Sequence, residues 1–522
     1  MKGSLRSIAR NALVVGVTIT LLFAIRGSGA QSSAPSRHSS CASALEQGKD
    51  LLGQRRFQQA EELLLSAATV CSNVAEIFDT LGLAYDFDGH LAQAQAAYRK
   101  AISISPRTAG FHNNLAASLL RSGNQATGIN EFRKALEIDP ANKTANLNLG
   151  SLYLASKQYE LAVRCFQAAQ VERSQDPAAL LELTGAYFGA GNARAGRNTA
   201  ERLARIPGLP PAGHFSLGLQ LAAHGEYDLA AQQFAAIPAS DRDVAADLNL
   251  GMAYSKLKRF QEARQAYDDA LRQDPSNPDA FLHIGLDAAA TGQGHDGAAL
   301  DWVTQAHAKA PERPDISCAL AQELIRAGNF EQAQALLESA LADHPDEPGL
   351  REAQGNLLLR EGRPGEAVEA YLQSLRSEPR RVSARVSLAS AYQRLRQSDK
   401  ATSELEQVLR IDPQNAAAKA QLGHLALDAG QQDAASQWIK RALAADPDNL
   451  IANQDMAVLL ERAGKPDQAQ VILERLANLD PRNSQIHYLL GRVLAQLRRP
   501  EEAKAEFELS KKLQAPQDRH NE

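Results

Sequence analysis

Prolines stand at Pro311, Pro345, Pro379, Pro413, Pro447 and Pro481, each 34 residues after the last. Alanines at Ala333, Ala367, Ala401, Ala435, Ala469 and Ala503 keep the same step. So do the small residues Ala321, Gly355, Ala389, Gly423, Ala457 and Gly491, and Pro106 and Pro140 carry the spacing into the N-terminal part. Three ladders in one register mean that one structural unit recurs and stacks on copies of itself, rather than one core closing around the whole chain. At 522 residues the chain is also longer than a single core ordinarily supports.

The repeated unit is helical. Apolar residues make up 44% of the chain, enough to bury a core, but aromatics only 5%, and Ala and Leu dominate. Both are strong helix formers. Gly89, Gly123, Gly225, Gly328, Gly362, Gly430 and Gly464 share the fifteenth position of their repeats. Glycine there lets a first helix stop in a left-handed conformation. Asn142, Asn277, Asn415, Asn449 and Asn483 share the last position, where a side-chain oxygen can cap the next helix. The Asp412-Pro413 and Asp446-Pro447 pairs end second helices, because the residue before proline is pushed out of the α region. Each repeat therefore reads helix, glycine turn, helix, proline turn.

This pattern resembles the tetratricopeptide repeat family. The Leu-Gly-x-x-Tyr element appears as Leu81-Gly82…Tyr85, Leu149-Gly150…Tyr153 and Leu250-Gly251…Tyr254. The Ala-x-x-x-aromatic element appears as Ala94…Tyr98, Ala162…Phe166, Ala230…Phe234, Ala263…Tyr267, Ala367…Tyr371 and Ala503…Phe507. Fourteen repeats start near residues 41, 75, 109, 143, 178, 211, 244, 278, 314, 348, 382, 416, 450 and 484. The resemblance implies an all-α solenoid of about fourteen hairpins, wound as a right-handed superhelix with a concave, partner-binding face. Gly or Ala at positions 8 and 20 lets the two helices of a repeat approach closely. Leucine at Ala435 is expected to overpack that contact, whereas Ala418 lies off the ladder.

The register slips over residues 170–243. Arg197 falls where the fifth repeat should have its second-helix alanine, and the Pro-rich segment 206–211 follows. Either a hinge between two regular blocks, 41–177 and 244–517, or harmless drift fits residues 178–243. The eighth repeat carries two extra residues near its Gly-rich turn.

Residues 1–30 read as a secretory signal: Lys2, Arg6 and Arg10, then a 14-residue apolar stretch from Ala12 to Ile25, then Ser28-Gly29-Ala30. Fourteen residues fall short of the roughly 20 a spanning helix needs, so cleavage is favoured over a retained anchor, with no membrane span afterwards. The expected localisation is exported, periplasmic or secreted. Residues 31–40 read as a flexible polar lead-in and 518–522 as a polar tail. The net charge of −5 falls to −9 without the four basic residues of the leader, which disfavours nucleic acid as a partner.

Catalytic chemistry finds no foothold. Gly292, Gly294 and Gly297 fit a G-x-G-x-x-G string, but no strand pattern precedes it. There is no His-Glu-x-x-His helix, no Cys-x-x-Cys pair and no Gly-x-Ser-x-Gly elbow, so the sequence points to no enzyme, cofactor or metal. His112, His283 and His424 read as surface or groove residues. Cys41 and Cys71 fall at adjacent ends of the first hairpin, where export would permit a disulfide or leave two thiols.

The remaining function is binding. The resemblance places first-helix positions near 2, 5, 9, 12 and 13 on the concave side, with asparagines near position 6 able to hold an extended peptide. Asn113, Asn114, Asn148 and Asn249 match these positions. Arg326, Arg360 and Arg394 stand 34 apart at position 13, and Arg462 recurs two repeats later. Guanidiniums so spaced could bind carboxylates of an acidic peptide, or simply be solvated arginines favoured near a helix C-terminus. The expected role is an exported, non-enzymatic scaffold for protein or peptide partners. An accessory role in envelope polysaccharide synthesis or export, or a regulatory or spacer subunit, is the alternative. Only Trp302 and Trp438 are available for sugar stacking, so polysaccharide is the less favoured partner.

Overall fold

The computed structural model describes residues 37–291 and 297–514. Among these residues every regular element is helical: 28 α-helices pair into fourteen hairpins, with one short 3-10 turn at Val171–Arg173. First helices begin at residues 37, 75, 109, 143, 177, 211, 244, 278, 314, 348, 382, 416, 450 and 484, so the repeat count from the sequence holds. The leader, most of the lead-in, residues 292–296 and the tail lie outside the described residues. The first helix spans Arg37–Gly53, so residues 37–40 belong to it rather than to a lead-in. No described helix is long and apolar enough to cross a membrane.

Hairpins form where the sequence placed the stops. The seven glycines at position 15 all take positive φ, from +71° at Gly464 to +86° at Gly89. Gly191 does the same, and at that position in other repeats so do Arg55, Lys157, Lys258, Arg396 and Arg498. The turn geometry is thus common to the thirteen repeats in which this position is described, and glycine is only its cheapest occupant. The capping asparagines act as expected: Asn142, Asn277, Asn415 and Asn449 accept from the backbone N–H three residues on, and Asn483 accepts from Gln485 and Ile486.

The small residues face large ones. A Cβ on Gly82 would stand 2.6 Å from Tyr98, on Gly218 2.6 Å from Phe234, and on Gly491 2.8 Å from Phe507. Tyr98, Phe166, Phe234, Tyr267 and Tyr371, all at position 24, are completely buried. Where position 8 is Ala321, Ala389 or Ala457, position 24 is Leu337, Leu405 or Leu473. In the third repeat Ala116 meets Phe132, and the missing glycine reappears on the second helix as Gly128, 3.0 Å by its would-be Cβ from the Ala116 carbonyl. Helix separation is therefore set by the sum of two side-chain sizes. Two expectations need correction. Ala418 is as completely buried as Ala435, so it is no control for overpacking; the exposed neighbour Ala417 is. In the fifth repeat the small residue is Gly196, packed against Phe188, while Arg197 turns outward to pair with Glu226 and Asp228.

The described residues up to Arg242 form one compact body and those from Asp243 another. Repeats five and six, expected to be irregular, fold as ordinary hairpins of the first body, Pro177–Gly189 with Ala193–Ala204 and Pro211–Ala223 with Tyr227–Ala236. Within each body, successive first helices touch one another, whereas successive second helices stand further apart. First helices consequently line the inner face of each solenoid, and second helices its outer face.

Candidate functional site

Three consecutive first helices of the N-terminal body carry a connected polar chain on that inner face. The Asn148 amide donates to Asn113 Oδ1 at 3.3 Å, and Asn113 donates to Asn114 Oδ1 at 3.3 Å. Asn114 donates to both carboxylate oxygens of Asp79, at 2.9 and 3.1 Å. Three asparagines singled out from the sequence are thus brought together, and their chain ends on an acid that sequence reasoning passed over. Asn113 and Asn148 are buried, whereas Asn114 and Asp79 keep part of their surface in water. Asn249 is not part of this set; it is buried and donates to the Ala245 carbonyl of its own helix.

Asp79 is crowded by protein on nearly all sides although solvent still reaches it. That desolvation pushes its carboxyl up to about 7, against the Asn114 bond, which favours the charged form, and with help from nearby Glu76. Glu182, three repeats on, is also raised, by burial more than its hydrogen bond from Ser151 lowers it. Asp86, buried with Tyr98, Ser118 and Arg121 around it, is raised because burial outweighs those three partners. On this inner face Arg121 is committed to Asp86. The face is therefore lined by under-solvated carboxylates and amides.

The arginine row fares differently. Arg326 pairs with both oxygens of buried Glu323, one turn back at 2.6 Å. Arg394 donates to the Leu359 carbonyl of the preceding repeat at 3.1 Å. Arg360 and Arg462 are exposed, with neither a hydrogen bond nor an ion pair among the described residues. Two of the four guanidiniums are spent inside the fold, so the row is not a set of equivalent free cations.

Two of the three histidines are placed differently from expectation. His112 is buried between Glu131, 2.7 Å from Nδ1, and the Pro106 carbonyl, 3.2 Å from Nε2. Burial opposes the Glu131 charge, but Lys134 and His112 outweigh it and hold the carboxyl below its usual range. His487 repeats this arrangement with Glu506 and Pro481. Asn146 and Asn453 take the same route to the Pro140 and Pro447 carbonyls. Position 4 is thus a structural brace on the proline turn, a rule visible in the sequence only as a recurring polar residue. His283 stacks on Tyr267 at 5.7 Å, and crowding lowers its pKa to about 4. His424 does sit on the inner face, 3.0 Å from Asp455, which raises its pKa.

The sulfurs of Cys41 and Cys71 are joined, with Cα atoms 5.9 Å apart, while Cys165 and Cys318 carry free thiols.

No curated protein matches the chain. Among solved structures it is similar to a human IFIT1 dimer with PPP-AAAA, at 15% identity and a TM-score of 0.42, over 70% of this chain and 95% of that one. It is also similar to the APC/C hetero-tetramer Cut9-Hcn1, at 16% identity and a TM-score of 0.38, over 82% of this chain and 98% of that one. Two family models described as tetratricopeptide repeat match residues 80–178, 215–314, 318–384, 395–457 and 460–519. With fourteen hairpins in the same register, the chain belongs to the tetratricopeptide repeat family.

Proposed function

We propose that this protein is an exported, non-catalytic scaffold that holds an extended protein segment along the inner face of its N-terminal body. The observation that carries the reading is the amide chain from Asn148 through Asn113 and Asn114 to Asp79. Amides at 3.3 Å are weakly satisfied by one another and can trade those bonds for a peptide backbone. The chemistry of the face favours a partner that donates: Asp79 and Glu182 are short of water, and a Lys or Arg side chain would supply the missing charge. The tetratricopeptide fold supports interaction with proteins in general. Export rests on the leader and on the Cys41–Cys71 pair, which suits an oxidising compartment.

The test is a crosslinking pull-down from the exported compartment with three proteins: wild type, Asp79→Asn with Asn114→Ala and Glu182→Gln, and Arg326, Arg360 and Arg394 all changed to Ala. Loss of the same partner in the first variant only, with helicity intact, supports the reading. Loss in the arginine variant only would move the site to the C-terminal body and reverse the expected partner charge.

A further inference from the structure

Two hairpins of the N-terminal body place three metal-ligating groups in one spot away from the inner-face chain. Glu61 lies on the second helix of the first repeat, Phe57–Val70. Asp88 closes the helix Ala75–Phe87, and His90 precedes the helix Leu91–Ile104. Between them Gly89, at φ +86°, turns the chain in two residues so that both side chains face Glu61. One ligand atom from each of the three lies within 4.8 Å of the others.

The distances fit a shared cation better than an ion pair. His90 Nδ1 stands 3.5 Å from Glu61 Oε1 and 3.6 Å from Asp88 Oδ2. A histidine paired with one carboxylate would close to about 2.8 Å on it. Two ligands each about 2.1 Å from a tetrahedral zinc ion stand about 3.4 Å apart. Glu61 Oε1 is sealed from solvent and has no hydrogen-bond partner, a costly state for a carboxylate oxygen. Among the described residues no Lys or Arg is paired with either acid. The side chain of His90 is 46% exposed, which leaves water access for a fourth ligand.

We propose that Glu61, Asp88 and His90 form a binding site for a zinc-class divalent cation, clamping the first hairpin to the second. Imidazole with carboxylates suits zinc and its transition-metal neighbours, whereas calcium and magnesium take oxygen ligands throughout. The sequence gives no hint of it because the ligands come from separate repeats and share no short spacing.

The experiment uses the full mature chain stripped with a chelator. Zinc titration by calorimetry, metal content after desalting, and thermal midpoint with and without zinc are measured on wild type, His90→Ala, Glu61→Gln and Asp88→Asn. The expected result is one zinc per wild-type chain and a raised midpoint with zinc. Affinity falls at least tenfold in each variant, and magnesium and calcium compete poorly. Wild-type zinc affinity in His90→Ala and Glu61→Gln, no zinc retained by wild type, or equal binding of calcium would each overturn the proposal. His90 is about half exposed, so its variant is expected to fold, and circular dichroism checks this.

Discussion

Gly218 and Phe234 share one space: a Cβ on the glycine would lie 2.6 Å from the buried ring, which has no room to retreat. Gly218→Ala is expected to destabilise the N-terminal body by about 1–3 kcal/mol. Adding Phe234→Leu should recover part of that loss, because three of the four repeats with alanine at position 8 carry leucine at position 24. A double-mutant cycle from denaturant unfolding checks it. Additive losses would show that the two positions are not coupled through volume.

Five basic residues occupy the left-handed turn position that glycine fills elsewhere. Lys258→Gly and Arg396→Gly should stabilise the C-terminal body by about 1 kcal/mol or less each, since the αL cost of a side chain exceeds the entropy cost of glycine. Gly430→Ala, at φ +73° with open space around it, should destabilise through backbone strain alone. Thermal midpoints of the three single variants decide this.

Asp79 is expected to make the N-terminal body less stable as pH rises. Its folded pKa, about 7, lies above the value near 3.8 of an exposed aspartate, so between the two the native state binds more protons than the unfolded one. Stability contributed by protonated Asp79 is therefore full below pH 4 and lost as pH climbs towards 7. Asp79→Asn should remove this slope and raise the midpoint most above pH 7. A midpoint difference between variant and wild type that stays flat from pH 5 to 8 would contradict it.

Denatured, unreduced protein should show two free thiols, from Cys165 and Cys318. The Cys41–Cys71 bond closes a loop over a sequence separation of 30, worth about 3–4 kcal/mol on chain-entropy grounds. The first hairpin has no repeat described before it, so reduction should fray it before the rest. Hydrogen exchange should then rise over residues 41–71 while the C-terminal body is unchanged. Four thiols before reduction would exclude the bond.

The hairpins were legible because their determinants are local. Proline, glycine, capping asparagine and a periodic alanine act on their own few residues, and 34-residue spacing repeats the instruction, so fourteen start points agree with the structure to within a few residues. Arg197 was misread by one position, because the fifth repeat begins at Pro177 rather than at residue 178, which puts Gly196 at the small position, and packing against Phe188 reveals it. Three of the four residues of the inner-face chain were legible as well. Asn113, Asn114 and Asn148 were found by position, but Asp79 was not, because an acid on a first helix reads as a solvated residue until its neighbours are known.

By itself, then, the sequence determined which elements form, where they stop and in what order they stack, since short-range backbone and volume rules carry that information. Only tertiary structure decided which polar groups meet. Whether Arg121 is free or held by Asp86, whether His112 faces water or Glu131, and whether Glu61 finds His90 depend on side chains from different helices. Their spacing along the chain varies, so no periodicity encodes it.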